Sequence, residues 1–475
     1  MKSIHLIDWS IIISYFLFLI WIGIFRNRNS KQNQNDFILS GRKLSTIGFI
    51  ATLVTTWYGG ILGIGENTIL YGVQTWFIFA FPYYFFAIIY AFWVAPRVKR
   101  KGHLSLPDHF HNQYGEASGI TAALIITFLA SPAPYVLSLG ILLQFLFGIE
   151  LTFALLLSTF FSIIYIWHGG FSAVVATDRV QFVFMFLGFF ALLGFLWHVN
   201  GSPVEMFKSL PANMLDPLGG NTLSYLFVWF FIAAWTFIDP GFYQRCCAAK
   251  DVQTAKYGIL ISIVFWAIFD FTTLICGLYA IGKISTDQAL FTFPLLASGV
   301  LPKGFLGLFI TGLIAIIMST VDSLSHISAI TFGRDILWRI EKDFSIEDST
   351  IHMKKGLIII SFFSLVIAYL MPSVVKLFYT LGSILIPGLI LPFLFSLKND
   401  FLVSSSDIVK WMIAPIIASS CWFSVSQIME EPFLGIEPFY PGMATSILFI
   451  VIIKIRKNHG NLNRKKISCK NYSGK

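Results

Sequence analysis

Apolar residues in this chain come in long blocks separated by short polar connections. A run of about 20 apolar residues, at 1.5 Å rise each, crosses the hydrocarbon core of a bilayer. On that measure the hydropathy predicts about thirteen membrane spans. They lie near 7–25, 47–70, 73–96, 119–146, 150–168, 177–198, 221–238, 256–282, 302–333, 356–372, 375–397, 407–428 and 439–455. The first block has no basic flank beyond Lys2 and no small-residue cleavage site, so it reads as a retained helix and not a signal peptide.

Composition sharpens this reading. The 475 residues are 56% hydrophobic and only 12% charged, where soluble proteins carry about 25% charged residues. Mean hydropathy is +0.76. The class is an all-α polytopic membrane protein. The formal net charge of +9 concerns topology, because the basic residues sit in loops and the tail and do not point to nucleic acid. The five cysteines show neither C-x-x-C nor zinc spacing.

The connections set orientation. Arg26, Arg28, Lys31, Arg42 and Lys43 form one basic loop, and Arg97, Lys99, Arg100 and Lys101 the next. Arg245, Lys250 and Lys256, then Arg334, Arg339, Lys342, Lys354 and Lys355, fall on the same side, as does the tail from Lys454 to Lys475. Alternate connections carry little positive charge, which predicts an N-terminus outside and a cytoplasmic C-terminus. The outer connection 199–220, with Pro203, Pro211 and Pro217, reads as an ordered cap or a loop. The basic tail beyond Ile455 reads as disordered.

Three features depart from plain apolar helix. In Thr311 to Asp335, Ser319, Thr320, Asp322, Ser323 and His326 arrive within two turns, most of them on one stripe. A carboxylate in a membrane helix costs roughly 2.5–3.5 kcal/mol and persists where it faces a cavity, an ion or a partner. Small hydroxyls offer the hard oxygens that cations accept. A polar helix–helix seam explains the same pattern. The second feature is the run Trp57 to Glu66, where four glycines in seven residues make the middle of the second span poorly helical. Unwound backbone in a membrane lines a cavity or is buried in protein, and close helix packing is the competing explanation. Glu66 follows near the outer end of that span. The third feature is a pair of segments, His168 to Gln181 and Asp239 to Arg245. Asp178 also reads as a helix cap or a partner of Arg179, and Asp239-Pro240 as the close of the seventh span with Arg245 at the membrane face.

Together these segments resemble the sodium:solute symporter family. Asp36-Phe37-Ile38-Leu39-Ser40-Gly41-Arg42-Lys43-Leu44 is similar to that family's Y-F-L-G-G-R-x-L. Gly169-Gly170 followed by Ala173-Val174 and Thr177-Asp178…Gln181 matches a second motif, with Ala176 where many members have Trp. Asp239-Pro240…Gln244-Arg245…Ala248-Ala249-Lys250-Asp251 and Met318-Ser319-Thr320-Val321-Asp322-Ser323 match two more. The resemblance covers roughly residues 5–455, and its specificity lies in the order of the four motifs.

The resemblance implies a LeuT-type fold of two inverted five-helix repeats with flanking helices. The repeats would be 47–198 and 221–397, preceded by 1–46, joined by the outer loop 199–220, and followed by two helices in 398–455 and the tail 456–475. It implies a symporter in the cell membrane, not an enzyme, with Na+ as coupling ion. By matching positions, sodium would be held by the carbonyls of Leu53, Thr56 and Ile316 and the hydroxyls of Ser319 and Thr320. A second sodium would involve Asp178, Asp322 and Ser323 with Ser319. Thr55 stands where some relatives carry Asp. The seventh span shows no glycine break in its middle, although the fold would unwind it.

Solute candidates are Trp57, Tyr58, Gly60, Gln74, Ser131, Phe231, Trp235 and Ser383, aromatic walls with a few polar groups. No Lys or Arg is expected deep in these spans, and a small polar or zwitterionic solute is the expected cargo. Two alternatives remain open. One is a proton-coupled carrier using Asp178, Asp322 and His326; the other is a sensor or leak channel on the same fold.

Overall fold

A computed structural model describes residues 4–22, 34–341, 349–371, 373–398 and 403–470. Arg26, Arg28, Lys31, Lys342 and the last residues of the basic tail lie outside them. Among the described residues there is no named strand, and nine helices are long and apolar enough to cross a membrane. Four shorter apolar helices accompany them.

In chain order, α1 (Leu6–Ile20) starts from a capping box in which His5 and Asp8 satisfy each other's backbone N–H. α2 (Thr46–Thr55) is capped by Ser45, whose hydroxyl accepts from Gly48 N at 3.3 Å. The helix stops at Thr56 and restarts as α3 (Ile61–Tyr71), so the glycine run is a true break. α4 (Gln74–Lys101) returns to the basic side. There the short α5 (Leu106–Tyr114) is held by Ser105, whose hydroxyl accepts from Asp108 N. α6 (Glu116–Phe147) is interrupted at Ala130 to Pro132.

α7 (Leu151–Asn200) covers the two segments expected at 150–168 and 177–198, which meet at a kink in place of a connecting loop. The helical run is continuous except at Gly170, whose φ of +53° kinks it. A Cβ there would lie 2.8 Å from Phe37 O, so the kink needs glycine both for its torsion and for close approach. The seventh span is corrected. α8 (Leu223–Ile232) tightens into a 3-10 turn over Ala233–Phe237, breaks, and resumes as α9 (Pro240–Ala248). Asp239-Pro240 therefore begins the second half of a broken span and does not close it. The Asp239 carboxylate accepts from Phe242 N at 2.8 Å, and Pro at the first helical position loses no backbone bond.

α10 (Val252–Leu278), α11 (Phe305–Ala329), α12 (Thr350–Leu370), α13 (Val374–Ser396) and α14 (Ser405–Met429) follow. α15 (Phe439–Lys470) runs helically into the basic tail, where disorder was expected. α11 is the axis of the molecule: 89% of its span window is buried, against 28% for peripheral α14. It packs along α7 and beside α1, α6 and α12. The connection 199–220 is an ordered cap, with a helix at Pro203–Ser209 and Met214 O accepting from Val73 N at 3.0 Å.

Candidate functional site

The two breaks, 56–60 and 238–239, meet the middle of α11 at the centre of the bundle. A cleft of about 1120 Å³, its mouth included, opens between them. Its walls are mostly aromatic: Trp57, Tyr58, Tyr83, Tyr135, Trp229, Trp235, Phe242 and Phe378 all face it. Trp57 packs against Tyr83, Phe242 and Trp266 at ring separations of 4.9–5.9 Å. Tyr58 donates to Trp266 O at 3.2 Å and sits edge-on to Phe269, which fixes the unwound segment from behind. Asp239 and Arg245 are the charged groups in the lining.

At one end of the cleft hydroxyls of α2 and α11 meet the Asp178 carboxylate of α7 and the Arg245 guanidinium of α9. The Thr320 hydroxyl donates to Thr56 O at 2.9 Å and lies 3.3 Å from Ile316 O. Ser319 donates to Asp178 Oδ1 at 2.6 Å, and Thr52 donates to the other carboxylate oxygen. Thr56 Oγ1 lies 3.5 Å from Ser319 Oγ and 3.1 Å from Ser323 Oγ. Leu53 is in the last turn of α2 and lines the cleft. Asp178, Asp322, Ser319 and Ser323 are all buried. Thr56, Ile316, Ser319, Thr320, Asp178 and Ser323 thus meet where α2 ends, with Leu53 in its last turn, while Asp322 is buried in the same stretch of α11.

The solute candidates divide. Trp57, Tyr58, Gly60 and Trp235 line the cleft. Gln74 instead ties down the 199–220 cap, donating to Leu218 O at 2.5 Å. Ser131 lies in the α6 interruption, 3.4 Å from Ser364 Oγ and accepting from Ala133 N. Phe231 turns outward, 43% exposed and stacked on Phe439. Ser383 is buried in α13 and is absent from the cleft lining. His326 is buried between Phe37 and Phe171, 3.0 Å from Phe37 O and 3.3 Å from Gln244.

Two groups escaped the sequence reading. Thr52 lies one helical turn before Thr56, a spacing that puts both hydroxyls on one face. Arg245, expected at the membrane face, is wholly buried beside the α2 terminus. The expectation that no Arg lies deep in these spans is therefore overturned. Once α9 is seen as a continuation of the seventh span, Arg245 falls inside it.

A family model described as the sodium:solute symporter family matches residues 37–400. This chain belongs to that family. The Haemophilus influenzae sodium/pantothenate symporter is 29% identical over 230 residues, which are 45% of this chain and 46% of that protein. The Escherichia coli K12 sodium/pantothenate symporter is 22% identical over 93% of this chain and 95% of its own length. The first curated relatives are matched over less than half their length, 46% and 33%. Among solved structures, a Na+-coupled sialic acid symporter in a substrate-bound outward-open state aligns over 95% of this chain and 97% of its own. Its TM-score is 0.77 at 17% identity, a likeness of fold. The family and these relatives are transporters and not enzymes, and this chain is a multi-pass membrane protein with the all-helical fold of LeuT-type symporters.

Proposed function

We propose that this chain is a sodium-coupled symporter that imports a small polar or zwitterionic organic solute across the cell membrane by alternating access. In this reading the thirteen apolar segments cross the bilayer, with the N-terminus outside and the C-terminus in the cytoplasm. The two broken spans head inverted repeats over 47–198 and 221–397. Sodium is cargo. It binds where the carbonyls of Leu53, Thr56 and Ile316 face the hydroxyls of Ser319 and Thr320, and a second ion draws on Asp178, Asp322 and Ser323.

One observation carries the reading. The unwound segment 56–60 presents Thr56 O to Thr320 on one side, while Trp57, Tyr58 and Gly60 line the cleft on the other. A single stretch of backbone therefore serves both ligands. Linkage then requires that sodium and solute tighten each other by the same factor, typically about 5–150-fold. The cleft suits a polar or zwitterionic organic solute, because aromatic faces attract ammonium groups and Asp239 and Arg245 in the lining supply one charge of each sign.

The test is a thermal-shift screen of small polar, zwitterionic and ammonium-bearing solutes against purified protein with and without sodium. A ligand of the native state raises its apparent stability, and here solute stabilisation should require sodium. Solutes that stabilise equally in sodium-free buffer, with uptake that follows pH alone, would instead support the proton-coupled reading.

A further inference from the structure

Arg245 Nη2 lies within 2.7–3.2 Å of four oxygens: Thr52 O, Thr52 Oγ1, Thr56 Oγ1 and Ser323 Oγ. A guanidinium terminal nitrogen carries only two N–H bonds, so it cannot donate well-aligned bonds to four acceptors at once. The oxygens are also disposed as acceptors. Thr52 Oγ1 gives its proton to Asp178, and Thr56 Oγ1 gives its own to Thr52 O at 2.6 Å. Their lone pairs therefore converge on the nitrogen, with the Asp178 carboxylate one hydroxyl behind. A converging set of oxygens backed by a buried carboxylate is the environment that holds a spherical cation, which has no proton count to satisfy. The rest of the guanidinium makes fewer contacts: Nη1 reaches Gly241 O at 3.2 Å, Nε has no hydrogen-bond partner among the described residues, and the guanidinium carbon lies 5.8 Å from the Phe171 ring.

We infer that Thr52, Thr56 and Ser323, backed by Asp178, form a monovalent-cation cage in which the Arg245 guanidinium is a tethered competitor for sodium. The inference rests on the sodium-coupled reading and deepens it. Without the ion, Arg245 balances Asp178 and ties α9 to α2 and α11, joining the two broken spans. Sodium entering the cage takes over the four oxygens and the carboxylate, and Nη2 leaves. Arg245 and Asp239 both line the cleft, so the released guanidinium moves into a space that already holds a counter-charge. There it can meet an anionic group of the solute. Ion binding thereby unlocks the tie between the broken helices and changes the charge of the solute cleft in one step.

The experiment is sodium titration of the solute-free, full-length protein, read by intrinsic Trp fluorescence with potassium holding ionic strength constant. Removing a competitor should strengthen sodium binding, so Arg245→Gln should lower the sodium midpoint by at least about fivefold, the low end of typical coupling. Millimolar guanidinium added to Arg245→Gln should raise the midpoint again, and it should leave the wild type unchanged. A side chain that merely positions the ligands would give the opposite sign, a higher midpoint in the variant without rescue. Should Arg245→Gln fail to fold, Arg245→Lys keeps a charge on a shorter tether and should still titrate at lower sodium than the wild type. A midpoint in the folded variant equal to or above the wild type's overturns the inference. A wild type that shows no sodium response at all overturns the sodium-coupled reading itself, a separate outcome.

Discussion

Gly59 and Gly60 are neighbours in the break, yet substitution should separate their roles. A Cβ at Gly59 would lie 2.3 Å from Tyr135 Cδ1, 2.6 Å from Thr320 Cβ and 2.7 Å from Thr320 Oγ1. Carbon atoms rest at about 3.5–4.0 Å, so Gly59→Ala must push α11 or Tyr135 back by roughly 1 Å. On α11 the residue pushed is Thr320, whose hydroxyl meets Thr56 O. Overpacking of this kind costs about 1–3 kcal/mol, or roughly 5–150-fold in any equilibrium that needs the original geometry. Gly60→Ala meets Phe378 Cε2 at 3.0 Å, the far edge of a ring that can turn, and intrudes on the cleft alone. In solute-free protein, Gly59→Ala should therefore raise the sodium midpoint within that range, while Gly60→Ala changes it little. Both should weaken a solute found by thermal shift. The assay is the Trp-fluorescence titration, with a melting curve to show that each variant folds. A Gly59→Ala protein that folds and titrates within about twofold of the wild type, roughly 0.4 kcal/mol, would refute the shared-segment argument.

Two further outcomes follow from the same geometry. Asp178→Asn removes the charge that Ser319 and Thr52 address, and it should impair the sodium response far more than Glu66→Gln, because Glu66 lies on α3 outside the cleft lining; equal responses in the two variants would return Asp178 to a structural role. On the basic side, burial pushes the Asp108 carboxyl up, but Arg334 at 3.2 Å and Arg339 beside it hold it below the usual carboxylate range. A lowered folded pKa gives stability that is present above the unfolded value near 3.9 and lost as pH falls through the folded one. The melting temperature of the wild type should accordingly drop in acid. Asp108→Ala, which leaves Arg334 and Arg339 to share Asp335, should cost less than the about 3–5 kcal/mol of a wholly unpaired buried charge at neutral pH and show a flatter acid limb; an unchanged acid limb would assign that loss of stability to other carboxylates.

Much of the fold was legible because membrane spans announce themselves by length and hydropathy. The break in the second span was equally legible, since glycine raises the cost of helix wherever it clusters. The break in the seventh span left no such mark. It is made by Asp239 capping and Pro240 starting a new helix, which a hydropathy window reads as an ending. That misreading then moved Arg245 to the membrane face, although its nitrogen sits among Thr52, Thr56 and Ser323. The solute candidates divided for a different reason. A span that is apolar all round does not say which face meets its neighbours, so Phe231 and Trp235, one turn apart, point outward against Phe439 and into the cleft respectively. Gln74 stood out as a polar group among aromatic residues, but its partner is the 199–220 cap, a segment whose docking no local pattern reveals.

The most direct measurement of the central claim is the sodium titration of solute-free protein, wild type beside the Ser319→Ala/Thr320→Ala double variant. The double variant removes the hydroxyl that meets Thr56 O and the one that meets Asp178. The wild type should give a saturable fluorescence change in sodium that potassium does not reproduce. The double variant should fold yet need much more sodium for the same change. A double variant with the wild-type midpoint would make these residues a helix seam, and the site proposed where α2 ends would have to be abandoned.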